Sequence, residues 1–174
     1  FTPYVGRTWA PEKTVPALHH LQRSWSKLSA ISGFAVNLDM GTPEENLYFR
    51  LYPGRNICST EVVAFLRQLS HNIEGEIVLI LDNLKAHKSK PVKEFLEHNP
   101  RMEAVYLPPY CPELNPDEGV WNWTKTRILA NVCARNMRDL TKRVRSALWR
   151  IKRRKNVLRW CFHNTELKWD SLLT

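Results

Sequence analysis

Two carboxylates stand where a protein could use them for chemistry. Asp82 follows directly on the apolar run Ile77-Val78-Leu79-Ile80-Leu81, and Glu118 lies three residues after Asn115 in Asn115-Pro116-Asp117-Glu118. A carboxylate just past the end of a parallel strand points to the rim at which such sheets bind ligands. Each residue also has a purely structural reading. Asp82 with Asn83 can close a turn, and Glu118 can serve a helix start in which Asn115 is the cap and Pro116 the first helical residue. The prolines at 108, 109 and 112 tilt the balance for Glu118. They stiffen a loop that can return the chain to the rim where Asp82 emerges, and rigidity there serves a site more than a mere connection. Two hard oxygen donors suit Mg²⁺ or Mn²⁺. His87 reads as a loop histidine. Cys58, Cys111, Cys133 and Cys161 have no C-x-x-C spacing, which argues against zinc, and they read as small buried hydrophobes.

The elements that must carry these residues follow from pattern. Ser29–Leu38 is strand-like, Asp39-Met40-Gly41-Thr42-Pro43 is a turn cluster, and Asn46–Tyr52 alternates apolar and polar residues, which together predict an antiparallel hairpin. Thr60 opens a helix whose Val62, Phe65, Leu66 and Leu69 form one apolar stripe. Ile77–Leu81 reads as a central strand buried on both faces. Ser89 and Pro91 start a second helix, and Ala104–Leu107 is a second short strand, so the two strands should be parallel with a right-handed crossover. A helix is expected from Asn115 to about Val132, and Asn136 caps a last long helix with Leu140, Val144, Leu148 and Ile151 inward. The 28 residues before the hairpin, with prolines at 3, 11 and 16, read as irregular. The fold class is α/β, a mixed sheet flanked by helices, in a single domain over residues 1–174.

Charge divides the chain. The 174 residues carry a net +9, yet residues 1–120 hold 12 basic and 14 acidic side chains while residues 121–174 hold 14 basic and 3 acidic. A basic helical last third (121–174) on a near-neutral body implies a polyanionic partner. Lys125, Arg127, Lys142, Arg145, Lys152, Arg153, Arg154 and Lys155 are the expected phosphate contacts. The longest aliphatic run, Ile77–Leu81, is far short of a membrane span, and the chain reads as cytosolic.

Leu81-Asp82-Asn83 with His87, the block Tyr106-Leu107-Pro108-Pro109-Tyr110-Cys111-Pro112-Glu113-Leu114-Asn115-Pro116-Asp117-Glu118-Gly119-Val120-Trp121, and Gly6-Arg7-Thr8-Trp9-Ala10-Pro11 together resemble the DDE transposases of the mariner-like superfamily and their bacterial insertion-sequence relatives. The resemblance implies a ribonuclease-H-like fold, with the family's second Asp at Asp82 and its final acidic residue at Glu118. It further implies Mg²⁺ or Mn²⁺ as cofactor, two-metal cleavage of DNA at element ends followed by strand transfer to target DNA, homo-oligomers, and a nucleoid-associated location. The family's first catalytic Asp precedes the Gly-Arg-Thr-Trp-Ala-Pro stretch on a central strand. Only five residues precede Gly6 here and none is Asp, so the expectation is an N-terminally truncated catalytic domain with two of three metal ligands. A catalytically inactive DNA-binding or subunit-interaction remnant is the alternative, and a basic module in which both carboxylates only cap is a third. In the family topology Asp39 sits at the rim opposite Asp82, a strand length of roughly 17–20 Å away, and cannot supply the missing ligand. The hairpin and the Ile77–Leu81 strand should then be separated by a gap or joined by a substitute strand from Phe1–Arg7 or another chain.

Overall fold

A computed structural model describes residues 4–7, 10–13, 27–38 and 44–166. Asp39 and most of the irregular first stretch lie outside the described residues. The hairpin is β1 (Leu28–Asn37) and β2 (Glu44–Pro53), antiparallel in the register Phe34↔Leu47, Ser32↔Phe49 and Ala30↔Leu51. Helix α1 (Ser59–Asn72) begins one residue before the expected start. Cys58 precedes it, and the Cys58 N–H donates to Glu61 Oε2 at 3.0 Å. Its buried stripe is Val62, Phe65, Leu66 and Leu69, as the spacing predicts. At the other end, the Arg101 guanidinium donates to the carbonyls of Ser70, Ile73 and Gly75, groups a helix end and its following turn leave unpaired.

The parallel pair is β3 (Ile77–Leu81) and β4 (Met102–Tyr106), joined through α2 (Lys90–Glu97), with Ile77↔Met102 and Leu81↔Tyr106 in register. Burial on both faces of β3 is not realised. Ile77 and Leu79 are buried, but Val78 is 63% and Ile80 51% exposed, because α1 and α2 cover one face of the pair only. Among the described residues no ladder joins β1–β2 to β3–β4. Among those residues the hairpin and β3 are separate, and α1 packs against both. Phe65 of α1 lies over Gly33 of β1, where an added Cβ would sit 3.4 Å from the ring, while Val62, Leu66 and Leu69 pack with Ile77, Leu79, Val92 and Met102.

A turn of 3₁₀ helix (Pro112–Leu114) leads into α3 (Pro116–Trp123), which is shorter than expected. It passes into a π-helical turn, Thr124–Ile128, where the buried Thr124 hydroxyl donates to Val120 O at 2.7 Å and Leu129 N–H reaches back to Thr124 O. Back-bonding of a buried Thr onto its own helix competes with the regular ladder. Asn136 caps α4 (Met137–Lys152), its Oδ1 accepting from Asp139 N–H at 2.9 Å.

The expected last long helix is α4, and one more helix follows it. The chain breaks at Arg153-Arg154 and returns as α5 (Lys155–His163), because Val157, Leu158, Cys161 and Phe162 must also be buried. Two cores result. The larger joins the hairpin's odd-numbered β2 side chains to α3, α4 and α5; the smaller joins α1, α2, β3 and β4. The cysteine expectation holds for one residue: Cys161 is buried, Cys58 is exposed, and Cys111 and Cys133 are half-buried.

Candidate active site

Asp82 emerges where β3 ends. The strand ends are laced together there: Leu107 N–H donates to Leu81 O at 2.8 Å, and Asn83 Nδ2 donates to Leu107 O at 2.6 Å. Asp82 Oδ1 accepts from Leu84 N–H at 3.0 Å, so its turn-forming reading is realised. The carboxylate is nevertheless 56% exposed and faces His87 Nδ1 at 2.7 Å. His87 lies in the turn after Asp82, as expected of a loop histidine; Tyr106 Oη donates to its carbonyl at 3.2 Å, and Lys88 lies over the Tyr106 ring at 4.9 Å.

Glu118 sits in the first turn of α3, exposed. Asn115 Oδ1 accepts from Asp117 N–H at 3.1 Å and does the capping alone. Among the described residues the Glu118 carboxylate makes no hydrogen bond or ion pair. The capping-box reading of Glu118 is thus not realised, and its oxygens are left to solvent.

Asp117, next to Glu118 in the sequence, is a residue that sequence reasoning gave no role. The Asp117 carboxylate is buried against β1, with Oδ2 accepting from Ser32 Oγ at 2.6 Å and from Trp121 Nε1 at 3.1 Å. Trp121 Nε1 also donates to Ser32 Oγ at 2.8 Å, while Asp117 Oδ1 is buried with no partner among the described residues. Burial pushes the Asp117 acid up to about 6, against the pull of its two hydrogen bonds, and the charges of Glu118 and Asp82 raise it further. Asp82 and Glu118 are carried by elements of different cores, β3 and α3. The available signal was Trp121 four residues on, whose indole N–H needs an acceptor when buried. Cys161 lies close by, where a Cβ added to Gly119 would come within 3.2 Å of it. Burial, and then the Asp117 charge, push its thiol up to about 11, unsuited to a nucleophile.

The donor chemistry fits a divalent ion of the Mg²⁺ type. Such an ion is usually held by one or two carboxylates while water and phosphate complete its shell, and Asp82 and Glu118 supply exposed oxygens of that kind. Among the described residues no group of three or more His, Cys, Asp or Glu side chains is placed to hold a metal, so a closed protein cage is excluded there.

The expected phosphate contacts divide. Lys125 and Arg127 are exposed on the π-helical turn, Arg127 lying 5.9 Å over Trp123. Lys142 and Arg145 are exposed on α4. Lys152 is half-buried over Tyr48 (4.6 Å) and Trp149 (5.5 Å), and Arg153 lies over Trp149 at 6.0 Å. Arg154 precedes α5. Lys155 is engaged, donating to Glu44 Oε1 at 2.8 Å and Glu45 O at 2.7 Å, and so ties α5 to β2.

The profile of the DDE superfamily endonucleases matches residues 3–141. An insertion element IS630 protein of 39 kDa from Shigella sonnei is 31% identical over 94 residues, covering 53% of this chain and 27% of that protein. The crystal structure of the Mos1 strand transfer complex matches with a TM-score of 0.55 at 13% identity, covering 95% of this chain and 52% of that one. The chain thus spans about a quarter of the insertion-element protein and about half of the Mos1 chain. The fold it shares with the latter is ribonuclease-H-like.

Proposed function

Because the chain belongs to the DDE superfamily of endonucleases, we propose that it is catalytic-domain sequence of an insertion-element transposase, acting on DNA phosphodiesters in cleavage and strand transfer. Asp82 and Glu118 are the residues that would hold a divalent ion, Mg²⁺ or Mn²⁺. A bound ion supplies Lewis-acid stabilisation of charge developing on the phosphodiester. The chain's own residues do the rest. His87 and the Leu84 N–H fix the Asp82 carboxylate. Asn115 starts α3 so that Glu118 is left exposed, and Asp117, clamped by Ser32 and Trp121, sets the pitch of that helix against β1. The exposed bases of residues 121–174 position DNA through its phosphates. In the whole protein the partners are element ends and target DNA, with assembly from several copies. Among the described residues no helix is long and apolar enough to cross a membrane.

The observation that carries this reading is the exposed Glu118 carboxylate, left uncapped in the first turn of α3 while Asn115 alone caps the helix. Calorimetric titration with Mn²⁺ tests it. Saturable binding lost in both Asp82→Asn and Glu118→Gln supports the site, and heats unchanged in both variants overturn it.

A further inference from the structure

Among the described residues β2 has one neighbouring strand, β1. Antiparallel partners alternate between pairs that exchange hydrogen bonds and pairs that do not. Gly54 N–H donates to Lys27 O at 2.8 Å in the same register, so the even-numbered residues from Asn46 to Tyr52 bond inward to β1. The odd-numbered residues turn their N–H and C=O groups to the free edge. Local contacts agree: Glu45 O accepts from Lys155 Nζ at 2.7 Å, and Leu47 N–H donates to Asn46 Oδ1 at 2.9 Å. Pro53, at the far end, has no N–H to offer. Both ends of the edge are blocked, and the middle, with the N–H and C=O of Phe49 and Leu51, has no partner among the described residues.

That open middle lies in a groove of about 630 Å³ lined by residues 47–52, by Gln68 and Asn72 of α1, and by Arg145, Trp149 and Lys152 of α4. Alternate side chains of a strand point to opposite faces, so a groove lined by six consecutive residues follows the strand's edge. Helix α1 packs on one face of the hairpin and α4 on the other, leaving a slot between them. Cations flank it from both sides, Arg50 from one and Arg145 and Lys152 from the other, and no Asp or Glu lines it. Lys152 is held between the Tyr48 and Trp149 rings, where burial pushes its ammonium pKa down, so an anion beside it is favoured.

We propose that this groove binds an extended acidic segment of a partner protein, added to β2 as a further strand. A peptide supplies N–H donors for the outward carbonyls of Leu47, Phe49 and Leu51, and carbonyls for the two open N–H groups. A nucleic-acid backbone has no such donors. A second copy of this edge would bring like charges together. The inference is independent of the metal chemistry proposed above.

An end-capped, fluorescently labelled octapeptide of alternating Glu and Thr is the test ligand. Anisotropy should show saturable binding that weakens at least tenfold in the double variant Arg145→Glu/Lys152→Glu and on replacing Glu by Lys in the peptide. N-methylation of alternate peptide bonds should abolish it, which decides the matter on unmodified protein even if the double variant misfolds. Hydrogen exchange at the Phe49 and Leu51 amides should slow on binding. The proposal is overturned if those amides are unaffected by the peptide, if an octathymidylate protects them more strongly, or if they become protected by dimerisation without peptide.

Discussion

Asp117 is the residue whose environment says most about the site, and its ionisation has a definite sign. Its folded-state pKa of about 6 lies above the ordinary Asp value of about 3.9. Folding therefore favours the protonated acid. The stabilisation is complete below about pH 4 and is lost as the pH rises through about 6. A pKa raised that far is worth on the order of 2–3 kcal/mol. Asp117→Asn keeps an acceptor for Ser32 and Trp121, so in chelator its urea midpoint should fall less than that of the wild type between pH 4 and 7. Parallel curves would mean that the buried carboxylate does not change its charge on that interval. Legibility at this scale was uneven. Asp82 and Glu118 could be singled out because a strand end and a proline-stiffened loop are local signals. Asp117 could not, because what buries it is Ser32, 85 residues away in sequence on the hairpin.

Helices and strands were legible wherever one face is apolar. The α1 stripe, the Asn136 cap and the Ser89-Lys90-Pro91 start all follow from short-range pattern. The misses have physical causes. β3 was expected to be covered twice because five apolar residues cannot disclose how many layers pack on them. α5 was not foreseen, because the run Lys152-Arg153-Arg154-Lys155 before it reads as a solvated helix end. The π-helical turn was hidden because Thr124 is an ordinary helix residue until its hydroxyl is buried. Contact between α3 and α5 depends on Gly119, which lies against both the backbone and the side chain of Cys161. Gly119→Val should cost about 1–3 kcal/mol through overpacking, read as a lowered denaturant midpoint with unchanged slope. Asn136→Ala should cost about 0.5–2 kcal/mol through the lost α4 cap, again by denaturant titration.

For the whole molecule, the basic third makes a prediction about DNA that does not depend on catalysis. The logarithm of the affinity should fall linearly with the logarithm of salt concentration, each lost phosphate contact reducing the slope by about 0.9. Replacing Lys142, Arg153 and Arg154 by Gln should flatten the slope measurably, whereas Lys155→Gln should act on stability through Glu44 and Glu45. An unaltered slope in the triple variant would place the DNA elsewhere. The two cores also predict two classes of amide protection. Leu79 and Ala104 should exchange through openings of lower free energy than Leu148 and Leu158, as native-state hydrogen exchange in low denaturant can resolve. The division between cores runs between Asp82 and Glu118. On that prediction, each opening of the smaller core would withdraw Asp82 while Glu118 stays in place, giving the pair a lifetime shorter than that of the folded chain. On the proposed function, the fraction of molecules able to engage a phosphodiester would be set by the local stability of β3 and β4, and clamping those strands should raise turnover without touching either carboxylate.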